Sequence, residues 1–90
     1  MPYLPDSLRF GAPETMRTWI VVFKPHTSIE EISAYVHEVE RAGGRVLHTY
    51  YHNFKGFSAT MSDNFVKALQ SARSDIIDYI EQDQEIHIMS

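Results

Sequence analysis

Histidines and carboxylates are the groups in this 90-residue sequence with chemistry to offer: five histidines and twelve acidic side chains, and no cysteine. His48 and His52 lie four residues apart in a segment of extended pattern and read as sharing one side of a strand. A tetrahedral site needs more ligands, and no cysteine or nearby carboxylate completes this one. The pair therefore reads as exposed polar strand residues, and no metal site is expected. His26 falls in a turn, His37 on a helix flank and His87 near the carboxyl end, and spacing gives none of them a partner.

The acids divide by context. Glu30 and Glu31 suit the positive end of a helix dipole, and Glu38 and Glu40 suit a solvated helix face. Glu81, Asp83 and Glu85 differ, because alternate residues of an extended segment present their side chains on one side. As a general acid and base they would need a deep cleft, which a short two-layer domain does not supply; as a recognition patch they need only a partner. Ser58 has no Gly-x-Ser-x-Gly framing, and Gly43-Gly44 follows a helix instead of opening one on a phosphate. No catalytic group and no cofactor are expected, so the chain does not read as an enzyme.

The elements that position these residues follow from periodicity. Thr18 to Lys24 is β-branched and aromatic and stops at Pro25, which reads as a strand. Thr27 or Ser28, with Glu30 or Glu31 three residues on, forms a capping box. Ile29, Ile32, Val36 and Val39 then recur at helical spacing until Gly43-Gly44. Arg45 to Tyr51 reads as a strand with Val46, His48 and Tyr50 on one side, followed by a turn over 53–56. Phe57 to Met61 is its partner, with Phe57, Ala59 and Met61 inward and Ser58 and Thr60 outward. Ser62 caps a second helix with an apolar face of Phe65, Ala68, Leu69 and Ala72, and Ile76 to Gln82 is the last strand. The order is βαββαβ. With right-handed crossovers this is an α+β ferredoxin-like two-layer sandwich: a four-stranded antiparallel sheet with two helices on one face and the other face bare.

Composition narrows the partners. The net charge of −4 and the lack of a Lys/Arg stripe argue against nucleic acid. The longest apolar run, Trp19 to Phe23, is far short of the roughly 20 residues that cross a bilayer, so no membrane role is expected. The amino end has neither the charged nor the apolar region of a secretory signal, which points to a cytoplasmic chain, monomeric when free. Residues 1–17 hold three of the four prolines and no sustained period, and read as a flexible arm ahead of a domain over 18–83 and an extended tail over 84–90.

Four blocks together, Trp19-Ile20-Val21-Val22-Phe23-Lys24, Gly44-Arg45-Val46, Phe54-Lys55-Gly56-Phe57-Ser58-Ala59-Thr60-Met61 and Tyr79-Ile80-Glu81-Gln82-Asp83, resemble the subtilisin propeptide family, peptidase inhibitor family I9. The resemblance is closest to its free-standing fungal inhibitors of subtilisin-like serine proteases and runs from about Thr18 to Met89. It implies that the open sheet face lies on the enzyme while the carboxyl-terminal tail occupies the active-site cleft like a product, adding as an extended strand.

By the same resemblance, Glu81 and Asp83 correspond to carboxylates that cap helices on the protease. Met89 stands where the family has the residue of the primary specificity pocket, and Ile86 where it has the residue of the other main apolar pocket. His87 and Ile88 between them contribute mostly backbone. Ser90 either lies one residue beyond the cleavage position or, with the register moved by one, itself takes the pocket. Burial of Ile20, Val22, Ile32, Val36, Phe57, Leu69 and Ile80 is expected to hold the tail in place indirectly. Two other readings share the fold: a propeptide fragment acting as an intramolecular chaperone, and a module binding a small ligand or regulatory partner.

Overall fold

The sheet is laid down by β1 (Met16–Phe23), β2 (Arg45–Tyr50), β3 (Lys55–Ser62) and β4 (Ile77–Gln82), with α1 (Ile29–Arg41) after β1 and α2 (Asp63–Ala72) after β3. The structure, a computed structural model, describes residues 15–83. The strands run in the order β2-β3-β1-β4, and every neighbouring pair is antiparallel. This is the βαββαβ ferredoxin-like sandwich that the periodicity predicts. β1 begins two residues before Thr18 and ends at Phe23, one before Lys24.

Local chemistry explains each boundary. At α1 the capping box is Ser28 with Glu31: the Glu31 amide donates to Ser28 Oγ at 3.1 Å, and the Ser28 amide donates to Glu31 Oε1 at 3.0 Å. Thr27 takes a different role. It is fully buried, and its hydroxyl donates to the Ile76 carbonyl, which also accepts from the Lys24 amide at 2.7 Å. The Lys55 ammonium donates to the Pro25 and Thr27 carbonyls at 2.9 and 2.7 Å, so the β1–α1 turn is fixed from two sides. At the other end of α1, Gly43 adopts φ +95°, its amide donates to Glu40, and the Gly44 amide reaches back to Val39. That is a Schellman closure, which needs a residue at ease in the left-handed region. Ser62 caps α2 by accepting from the Phe65 amide at 3.1 Å.

Both helices cover one face of the sheet. Val21, Phe23, Phe57, Ala59 and Met61 from the central strands meet Ile32 and Val39 of α1 and Val66 and Leu69 of α2, with Ile76 and Ile77 closing the layer. Phe57 and Ile32 are both fully buried, and each such side chain contributes about 2 kcal/mol or more through loss of apolar surface to water.

Four details of packing differ from the sequence reading. Ile29, the first residue of α1, is 55% exposed. On α2 the buried stripe is Val66 and Leu69 with Phe65 half-buried, while Ala68 and Ala72 are exposed. The larger side chains fill the interlayer space and leave the alanines outward. Ile20 and Val22 do not belong with Val21 and Phe23; alternation along β1 sends them to the opposite face of the sheet, where Val22 is nonetheless buried, as expected, and Ile20 is half-buried. Finally, a bulge between Val46 and His48 inverts the alternation of β2, so Val46 packs on the core while His48 and Tyr50 project the other way.

Candidate functional site

Directly opposed residues of an antiparallel pair project to the same face, so the register writes out the helix-free face of the sheet in rows. One row crosses all four strands as Glu81, Ile20, Ser58 and His48. A second runs Tyr79, Val22, Gly56 and Tyr50, and a third runs Thr18, Thr60 and Arg45. Neither helix covers this surface, since the helical residues of the core cluster pack against the opposite side.

The second row is aromatic. The Tyr50 and Phe54 rings lie 4.9 Å apart between centroids. Gly56 leaves no room for a side chain: a Cβ there would overlap the Val21 carbonyl of β1 and stand 3.3 Å from the Phe54 ring. A larger residue at 56 would both part the strands and displace that ring. Tyr79 and Phe54 are largely exposed, so the face offers apolar surface of the kind a partner can bury. Two shallow hollows of about 250 and 420 Å³ flank the β2–β3 loop at Tyr51 to Phe54, at the end of the sheet away from Asp83.

The β4 edge carries the acids. Glu81 is exposed and opposes Ile20 on the open face. Asp83 lies just past the last strand residue, yet its amide still donates to the Thr18 carbonyl at 2.9 Å, so pairing with β1 continues through Asp83. Alternation then puts the Asp83 carboxylate on the same side as Glu81. The structure thus brings together the two acids singled out in the sequence. Glu85 and the tail residues Ile86, His87, Ile88 and Met89 lie outside the described residues, as do residues 1–14 of the expected arm.

The histidine pair does not share a strand side. His48 is on β2, but β2 ends at Tyr50 and His52 falls in the following loop. Among the described residues no group of three His, Asp or Glu is close enough to hold a metal ion, and no helix is long and apolar enough to cross a membrane. Ser58 is on the open face, as the alternation predicts, yet the residue is only 2% exposed, which nothing in the sequence signals.

One charged network lies away from the open face and ties the two helical segments together. Arg73, which caps α2, makes a two-pronged contact with Asp75 at 3.0 and 3.1 Å, donates to the Tyr35 hydroxyl at 2.6 Å and lies 3.7 Å from Glu31. Hydrogen bonds from Ser28 hold the Glu31 carboxyl below its ordinary value, and those from Arg73 do the same for Asp75.

The family model described as peptidase inhibitor I9 matches residues 18–89. A protein of the fission yeast Schizosaccharomyces pombe that bears the name "Uncharacterized protein C338.12" is 35% identical over 75 residues, covering 83% of this chain and 95% of that one. With its βαββαβ order and a match spanning most of its length, the chain belongs to the peptidase inhibitor I9 family, whose members serve subtilisin-like proteases as inhibitors or propeptides.

Proposed function

We propose that this chain is a protein inhibitor of subtilisin-like serine proteases that docks its open sheet face on the enzyme and lays residues 84–90 in the active-site cleft in a product-like manner. The observation that carries the reading is the Asp83 amide on the Thr18 carbonyl, with Glu81 two residues earlier on the open face. A tail continuing from that point starts extended, which is the conformation that β-augmentation requires. Its entropy of ordering is reduced by the folded domain that holds its root.

In this reading Glu81 and Asp83 accept hydrogen bonds from the orphan amides at helix amino termini on the protease, where the dipole also favours an anion. Met89 enters the primary specificity pocket and Ile86 the other main apolar pocket, with His87 and Ile88 between them. The chain supplies no catalytic group and needs no cofactor; it inhibits by occupancy. A monomeric free state and a cytoplasmic location belong to the same proposal.

The test is an assay of subtilisin on a chromogenic peptide with the intact chain at micromolar concentration. Loss of activity relieved by excess substrate is expected, and no effect on the enzyme would contradict the proposal. Met89→Asp refines it: weaker inhibition is expected, because a carboxylate is poorly accepted in an apolar pocket. Inhibition equal to that of the intact chain would remove Met89 from the pocket.

A further inference from the structure

Ser58 stands near the middle of the open face, opposed by Ile20 on one side and His48 on the other, and its Oγ is buried with no hydrogen-bond partner. A buried hydroxyl left unpaired is destabilising, and a hydrophobic or alanine side chain would fit a sheet face equally well. Its neighbours on the β2 side are donors too. His48 is exposed, its ring centroid lies 6.3 Å from that of Tyr50, and it makes no hydrogen bond to Ser58. Arg45, one row on and opposed to Thr60, is exposed and makes no ion pair among the described residues.

On the protease-docking reading above, we propose that Arg45, His48 and Ser58 form a donor notch at the β2 side of the open face that receives an acidic side chain of the protease. The guanidinium offers a fork matched to a carboxylate, and the hydroxyl and imidazole each add a donor. Ser58 is reached by displacing a flanking side chain, and of its two direct neighbours His48 is the exposed one. The opposite edge of the face, three strand spacings or about 14 Å away, carries Glu81 and Asp83. The face is therefore acidic along β4 and basic along β2. An enzyme that meets the β4 acids with helix amino termini and the β2 notch with a carboxylate fits in one orientation and not in the reversed one.

The experiment compares Ser58→Ala, Arg45→Ala and Arg45→Lys with the intact chain, by inhibition of subtilisin and by thermal melting. Ser58→Ala is expected to raise the melting temperature, since it removes an unpaired buried group, and yet to weaken inhibition about tenfold. Arg45→Ala is expected to weaken inhibition by a similar factor with no change in melting temperature, and Arg45→Lys to recover part of it. Ser58→Ala and Arg45→Ala that both inhibit as tightly as the intact chain would overturn the notch while leaving the tail mechanism standing. An intact chain that does not inhibit at all overturns both.

Discussion

Asp83 donates its amide to the carbonyl of Thr18 at 2.9 Å, one residue past the end of β4. This bond extends the pairing of β4 with β1 by one residue and ties Asp83 to the first strand. Replacing Asp83 by Pro removes the donor while leaving the rest of the ladder intact. Inhibition should weaken more for Asp83→Pro than for Asp83→Asn, whereas both variants should melt close to the intact chain. Equal inhibition by the two, measured side by side, would show that strand continuation plays no part.

The carboxylates at the β4 edge should matter to the complex and not to the fold. Glu81 is exposed and has no hydrogen-bond or ion-pair partner among the described residues. Loss of a cap of this kind costs about 1 kcal/mol, so Glu81→Ala should raise the inhibition constant several-fold with the melting temperature unchanged. A variant that inhibits normally would assign Glu81 to solvent.

Stability should set the lifetime of inhibition. Ile32 is fully buried between α1 and the sheet, and Ile32→Ala should cost about 2–5 kcal/mol, a large share of the roughly 5–15 kcal/mol of a typical domain. Such a variant should inhibit at first and then lose potency as the protease digests it. Time courses of residual activity alongside gel analysis would show it; a destabilised variant that persists as long as the intact chain would separate stability from protection.

Acid should loosen the helical side of the fold. Glu31 and Asp75 both titrate below their ordinary values of 4.5 and 3.8 because Ser28 and Arg73, respectively, hydrogen-bond to the ionised forms. The folded chain then binds fewer protons than the unfolded one as the pH falls through those values, so their contribution is complete above about pH 4.5 and is lost as the pH drops through the lower folded values. Glu31→Gln keeps an acceptor for the capping box but does not ionise. Its melting temperature should fall less between pH 6 and pH 3 than that of the intact chain, and an identical fall would contradict this role for Glu31.

The order of elements and the position of the acids were legible because they rest on local chemistry. The Ser28 box, the Gly43 closure, the Ser62 cap and the alternation of Phe57, Ala59 and Met61 each involve residues within a few positions of one another. What was not legible depends on partners distant in sequence. The β2 bulge, which turns Val46 to the core and His48 to the open face, arises from the fit of β2 against β3 and leaves only an imperfect alternation in the sequence. The choice of Val66 over Ala68 and Ala72 depends on how α2 settles on the sheet. Arg73 and Tyr35 are separated by 38 residues, and no periodicity announces such a pair. Alternation in the sequence already sets Glu81 and Asp83 on one side of the β4 end, but the row that joins Glu81 to Ile20, Ser58 and His48 needs the register of three strand pairs.

Removal of residues 84–90 tests the account most directly. The shortened chain keeps β4 and the Asp83–Thr18 bond, so its circular dichroism spectrum and cooperative melting should match those of the intact chain, while its inhibition of subtilisin should be lost. A folded, shortened chain that inhibits as well as the intact one would contradict the tail mechanism.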